Sequence, residues 1–378
     1  MTTVLVPLER GGGETRVAAT PETVKRLTGK GCTVRVEHEA GVASGYLDNA
    51  YAAAGAELVS GEDAMACADV VLCVNPPAQP ALARLKPGAL LVGLLSPYGA
   101  TELVDTLNQR GASAVALELL PRISRAQSMD ALSSQANIAG YKAVLLASAA
   151  LDRYFPMLMT AAGTIQPARV VVLGAGVAGL QAVATARRLG AVVYVSDIRA
   201  AVKEQVESLG GRFIDPPQQE DRPDESGGYA EAASEGFLAA QRQQLSDHLA
   251  LADAAICTAQ VPGRKAPRLI SEAMLDRMRP GAVVVDLAVA QGGNCAASEP
   301  GRTVDRRGVK LIAGDDLPCS VPNHASALYA RNIATLLEQC LGTAGLRLDL
   351  EDQLLAESLL THGGSCRRDD IVNPGESD

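Results

Sequence analysis

The chain has 378 residues, 47% hydrophobic and 20% charged, with a formal net charge of −9. That balance excludes a disordered chain, a collagen-like repeat and a disulfide-stapled miniature, and the length suits two or three domains. The acidic charge and the lack of a basic stripe argue against a nucleic-acid binder. With 3% aromatics and no Trp, the cores must be packed by Val, Leu, Ile and Ala, which favours buried parallel strands under Ala-rich helices, an α/β protein.

The N-terminus shows no basic segment followed by an apolar one, so no export signal is expected. In the first third, strands are expected over residues 4–6, 33–37, 69–74, 89–95 and 113–119, and helices over 21–30, 78–85 and 101–110. Pro21 suits a first helical turn, with Thr20 as its cap. This β-then-α repetition implies a parallel sheet with right-handed crossovers. Residues 133–154, with Ile138, Tyr141, Leu145 and Ala149 at helical spacing, read as a connector helix. A second α/β block follows, with strands over 169–173, 192–196, 254–258, 282–287 and 310–313. A helical run over 325–341 then returns the chain to the first block. The expected domains are 1–137 plus 322–378, and 138–321. Both are Rossmann-like parallel-sheet domains, separated by a cleft and joined by long helices.

Residues 170–186 form the longest apolar stretch, but they contain three glycines and Gln181. A spanning helix needs roughly 20 apolar residues, so this is a strand, a turn and a helix, and no membrane span is expected. Residues 215–247 carry eight acidic and two basic residues, with paired prolines and glycines. They read as an exposed, mobile excursion or a solvated linker. The eight cysteines are dispersed, and the closest pair, Cys67 and Cys73, lacks metal-site spacing. A reducing compartment and no metal site are expected.

The sharpest motif is VVVLGAGVAGLQA at 170–182. Gly174, Gly176 and Gly179 keep the G-x-G-x-x-G spacing between an apolar strand and an Ala-rich helix. Gly174 permits the tight turn, Gly176 lets backbone approach a pyrophosphate, and Gly179 lets the helix pack on the strand. The helix N-terminus offers N–H groups and partial positive charge to phosphates. Asp197, 18 residues beyond Gly179, stands where a ribose-binding acid is expected, and its charge favours NAD(H) over NADP(H). A second polar concentration lies at 121–141, PRISRAQSMDALSSQANIAGY. It reads either as a helix entry capped by Asp130 or Ser133, or as a ligand-binding edge.

Taken together, PRISRAQSMD, LSSQANIAGY, MTAAGT (159–164), the fingerprint, RAAVKEQVESLGG (199–211) and DLAVAQGGN (286–294) make a specific resemblance. So does the N-terminal pattern of Glu9, Arg10, Gly13, Glu14, Arg16, Val17, Ala18 and Pro21. Nearly end to end, the chain resembles the soluble NAD(H)-binding α-subunit component (domain I, separately encoded) of proton-translocating nicotinamide nucleotide transhydrogenases. That resemblance implies an oxidoreductase of the Si-specific/Re-specific type that exchanges hydride between NADH and NADP+, with NADP(H) held on a partner subunit. It implies catalytic roles for Arg122, Gln127, Asp130 and Ser133 around the nicotinamide. It makes residues 227–230 a mobile loop whose Tyr229 closes over bound nucleotide. The expected cofactor-binding set is Gly174, Ala175, Gly176, Val177, Ala178, Gly179, Asp197, Ile198, Arg199 and Gly228, with Gln127, Asp130 and Ser133. The implied partners are the membrane-embedded remainder of the α subunit, the membrane β subunit, and a second copy in a homodimer. The implied location is cytoplasmic, attached peripherally to the inner membrane.

Alanine dehydrogenase shares this plan and is the nearest alternative. Oxidising an amine requires a proton acceptor, and an oxo-acid product needs a cationic anchor. Where that family's pattern places Lys, His and Asp, this chain has Asn75, Ser96 and Ala290. Direct hydride exchange between two nicotinamides removes no substrate proton and needs only positioning. A non-catalytic NAD(H)-binding regulator is the third reading.

Overall fold

Short apolar runs without helical periodicity become the parallel strands β1 (Thr3–Val6), β2 (Thr33–Glu37), β3 (Glu57–Val59), β4 (Val70–Leu72), β5 (Leu90–Gly93) and β6 (Ser113–Ala116). Helices α1 (Pro21–Gly29), α2 (Asp48–Ala53), α3 (Gln79–Leu82) and α4 (Thr101–Gln109) alternate with them. Pro21 opens α1, and the Thr23 hydroxyl accepts the Thr20 N–H at 2.9 Å. The chain then enters α5 (Ala131–Ala150). The computed structural model describes residues 1–60, 62–216, 235–342 and 345–372. Two compact units emerge, Met1–Gln135 with Pro318–Asp378, and Ala136–Leu317, so the chain changes unit within α5.

The first unit's sheet has the order β6-β5-β4-β1-β2-β3 over its parallel strands. This is the doubly wound arrangement, reversing direction between β1 and β4. Its central strands β1, β4, β5 and β6 are buried on both faces. Val4 and Val6 join one core with Val34 and Val36, while Leu5 joins the other with Val71 and Leu91. The expected strand over 113–119 ends early, because residues Leu117–Leu119 form a 3₁₀ turn. That turn aims the Glu118 carboxylate at the neighbouring strand end, where it accepts the N–H groups of Leu95 (3.1 Å) and Ser96 (2.7 Å).

In the second unit, the hairpin β7 (Leu158–Thr160) and β8 (Gly163–Ile165) precedes β9 (Arg169–Leu173), α6 (Val177–Arg188), β10 (Val192–Ser196), α7 (Lys203–Ser208) and β11 (Arg212–Phe213). Then come α8 (Glu235–Ala250), β12 (Ala254–Cys257), α9 (Glu272–Arg277), β13 (Val283–Asp286), β14 (Thr303–Arg306) and β15 (Val309–Ala313). The last part of the expected acidic excursion is thus helical in α8, while 217–234 lie outside the described residues. The sheet order is β11-β10-β9-β12-β13-β15-β14, parallel except for β14. Val170 and Val172 pack into one face and Val171 and Leu173 into the other.

The chain re-enters the first unit and forms α10 (Pro322–Gln339), whose Tyr329, Ile333 and Leu337 are buried in its core. A small pair, β16 (Leu341–Gly342) and β17 (Gly345–Leu346), leads to α11 (Gln353–Ser358), β18 (Leu359–His362), β19 (Ser365–Cys366) and α12 (Asp369–Val372). Strand β18 runs antiparallel to β6, and β19 antiparallel to β18, extending the first sheet to eight strands. Both were missed in the sequence, as was β14. Antiparallel additions at a sheet edge carry no β-then-α rhythm to announce them.

Candidate functional site

The direction of the second sheet switches between β9 and β12, and open α/β sheets bind ligands beyond the strand ends at such a point. The fingerprint glycines stand there, each for its own reason. Gly174 has φ 97°, and a Cβ on it would lie 2.8 Å from the Thr258 Oγ1. A Cβ on Gly179 would lie 1.8 Å from the Gly174 carbonyl oxygen, so α6 reaches β9 this closely only with glycine. Gly176 caps α6 with an extended φ of −77°, and a Cβ there would meet no atom within 4 Å. The space over Gly176, beside first-turn N–H groups that lack helical acceptors, fits a pyrophosphate. Ala175 is buried in the turn, whereas the Val177 side chain is exposed. Thr258, just after β12, locks the turn by donating to the carbonyls of Leu173 (3.1 Å) and Gly174 (2.9 Å).

Asp197 follows β10. Its Oδ2 accepts the Ala175 N–H at 2.7 Å, tying the strand end to the glycine turn. The Arg199 guanidinium grips both carboxylate oxygens at 2.9 Å, and the Arg199 N–H adds a further bond at 2.9 Å. Burial alone would push this carboxyl up, but those donors outweigh it and hold it below its ordinary value. Ile198 lies beside it, 88% exposed. Gly228 and Tyr229 lie outside the described residues.

Sequence reasoning missed the braces behind this site. Gly140 of α5 touches α6 so closely that a Cβ would sit 2.0 Å from the Ala178 carbonyl oxygen. An isolated glycine inside a helical pattern was the available signal. At the end of β13, the fully buried Asp286 accepts the N–H groups of Ala288 (3.0 Å) and Cys295 (2.9 Å). The buried Asn294 accepts from Ala259 N at 3.0 Å and donates to the carbonyls of Ala259 and Pro267 at 2.8 Å. The segment 286–294 therefore builds the wall beside β12.

In the first unit, the polar segment is folded as a 3₁₀ helix (Ser124–Met129) followed by α5. Asp130 accepts the Ser133 N–H at 2.8 Å and the Ser133 hydroxyl at 2.5 Å, so it caps α5. Arg125 is committed to Asp352. Arg122 and Gln127 are exposed, and their side chains make no hydrogen bond or ion pair among the described residues. The segment is thus anchored by Asp130 and Arg125 and presents Arg122 and Gln127 outward.

A buried polar network stands behind it at the strand ends of the first sheet. Arg16 donates to both Glu14 oxygens (2.8 and 2.7 Å) and to the Gln135 Oε1 (3.1 Å), in the first turns of α5. The Asn75 amide donates to Glu14 at 2.7 Å. Glu9 accepts the N–H groups of Val74 (2.5 Å) and Asn75 (3.3 Å). Burial lifts Glu9 to about 7 despite those N–H groups. Burial acts the same way on Glu14, but the Arg16 guanidinium prevails and brings it down to about 2. Ser96 has φ 47°, a left-handed conformation stabilised by its hydrogen bond to Glu118. Ala290 is exposed in the 3₁₀ turn Val289–Gln291.

Comparison with known proteins agrees with this arrangement. Residues 5–139 match the alanine dehydrogenase/PNT N-terminal domain, and residues 143–369 match the alanine dehydrogenase/PNT C-terminal domain. The chain is 46% identical over 380 residues to the first of the polypeptides that make up NAD(P) transhydrogenase subunit alpha in Rhodospirillum rubrum, covering 98% of each. The crystal structure of transhydrogenase from Sinorhizobium meliloti superposes with a TM-score of 0.87 at 43% identity, covering 96% of this chain and 99% of that one. A solved L-alanine dehydrogenase gives a TM-score of 0.80 at 26% identity, covering 97% and 96%. Both halves match in order and nearly in full, and the chain belongs to the alanine dehydrogenase/PNT family.

Proposed function

We propose that this chain is the NAD(H)-binding component of a proton-translocating transhydrogenase, catalysing NADH + NADP+ ⇌ NAD+ + NADPH with NADP(H) on a partner subunit. The observation that carries the reading is a nucleotide cradle unaccompanied by a dehydrogenase's acid–base set. Asn75 and Ser96 are tied into backbone-holding contacts by Glu9, Glu14 and Glu118. The buried Arg16 is held by Glu14 and Gln135.

The reduced nicotinamide supplies the hydride; the chain's own part is positioning. In this reading the N–H groups at the start of α6, from Gly176, Val177 and Ala178, hold the pyrophosphate, with Gly174, Ala175 and Gly179 shaping the turn. Asp197 receives the adenosine ribose, and Ile198 offers an apolar face to the base. Arg122, Gln127, Asp130 and Ser133 orient the nicotinamide. None of these side chains has to take a proton, because no substrate proton is lost.

No helix among the described residues is long and apolar enough to cross a membrane. Coupling to proton movement would therefore run through the membrane-embedded remainder of the α subunit and the β subunit, with this chain attached to them from the cytoplasmic side. The hairpin β7–β8 and its approach expose Tyr154, Met157, Met159 and Ile165. This apolar surface supports a homodimer. The test is hydride transfer from NADH to an NADP+ analogue, with and without a purified NADP(H)-binding partner. Direct transfer that requires the partner, without exchange into water, is expected. Failure to transfer with a competent partner would refute the proposal.

A further inference from the structure

We propose that Arg199 competes with the nucleotide's ribose for Asp197, and thereby sets both the strength of NADH binding and the discrimination against NADPH. The inference rests on the nucleotide reading of the second unit and deepens it. An ionised carboxylate offers about four acceptor positions. At Asp197 four donors already meet the two oxygens, namely the Ala175 N–H at 2.7 Å and the Arg199 N–H, Nε and Nη2 at 2.9 Å each. The Asp197 side chain is only 5% exposed, so little solvent-facing capacity remains. A ribose diol needs acceptors, and it can reach this carboxylate only by replacing a donor.

Two of the four donors are backbone groups, set by the β9–α6 turn and by the chain leaving β10. The guanidinium is different. Its side chain is 55% exposed, and it can leave Asp197 by side-chain rotation alone. Arg199 is therefore the donor that the diol displaces, and NADH binding is weakened by the strength of the pair it breaks. A 2′-phosphate has the opposite relation to the same residue. While paired, Arg199 neutralises the charge that would repel the phosphate. Once displaced, it is a cation two residues from Asp197, suited to a phosphate.

The test measures Kd for NADH and NADPH by nucleotide fluorescence on the full chain, for wild type, Arg199→Ala, Asp197→Ala and the double variant. Arg199→Ala is expected to tighten NADH on the order of fivefold, the upper end for an ion pair whose cation is solvent-exposed, and to loosen NADPH, widening the preference. In the Asp197→Ala background the tightening should vanish. A wild-type or weaker NADH affinity for Arg199→Ala, or an unwidened preference, overturns the competition. If Asp197→Ala still weakens NADH in that case, the nucleotide site stands and only the role of Arg199 falls. If Asp197→Ala leaves NADH binding unchanged, the nucleotide reading itself fails. Unfolding midpoints within a degree or so of wild type would confirm that the variants are folded.

Discussion

The three glycines where α6 meets its neighbours separate packing from ligand approach. An alanine at 179 would place its Cβ 1.8 Å from the Gly174 carbonyl oxygen, and one at 140 would place it 2.0 Å from the Ala178 carbonyl oxygen. Both obstacles are backbone, so α6 itself must move. Overpacking of this kind costs about 1–3 kcal/mol. For a unit of this size that corresponds to an unfolding midpoint lower by roughly 2–12 °C. Gly176→Ala is the contrasting case. Its Cβ would meet nothing within 4 Å, and its φ of −77° suits alanine. It should unfold like wild type, yet its methyl would occupy the approach that the pyrophosphate needs. A clash worth about 1–3 kcal/mol would raise the Kd for NADH about fivefold to a hundredfold or more. Thermal unfolding and NADH fluorescence titration on all three variants would check this. Gly176→Ala binding NADH as tightly as wild type would show that the phosphates do not pass over this residue.

Other perturbations probe the remaining parts. Asp130→Asn retains an acceptor for the Ser133 N–H that caps α5, so stability and AMP binding should hold while hydride transfer falls on the order of 10²-fold from nicotinamide misplacement. An equal loss of AMP binding would indicate a folding defect instead. The Glu9 carboxyl, lifted from 4.5 to about 7 by burial, stabilises the fold most when protonated. Its contribution is full below pH 4.5 and lost as pH rises through 7. Discounted for its partial exposure, the change is about 2 kcal/mol, and Glu9→Gln should remove it. Denaturant unfolding of wild type and variant between pH 4.5 and 7.5 would show it, and parallel curves would refute it. The isolated chain should form no NADH from alanine and oxidise none with pyruvate, because acid–base groups each contribute about 10²–10⁴-fold and three positions lack them. Robust alanine turnover would return the function to the dehydrogenase reading.

The features legible in the sequence are those built from contiguous residues. The apolar runs 169–173 and 192–196 are β9 and β10 to the residue. The glycine spacing places the turn and α6, and the α/β class follows from repeated short runs between amphipathic stretches. These signals are local, because strand alternation, helical period and turn chemistry are each written within about a dozen residues. Tertiary structure alone decided the rest. Arg16 and Gln135 are 119 positions apart and meet in a buried network. Leu359 joins Val115 at an antiparallel edge that no rhythm announces. Gly140 meets Ala178 of another helix so closely that a Cβ would lie 2.0 Å from its carbonyl oxygen, a contact nothing in the local sequence announces. Arg199 and Asp197 are neighbours in sequence, yet their pairing depended on the turn that buries the carboxylate beside Ala175. A buried polar group must find partners wherever the fold brings them, and that requirement has no period along the chain.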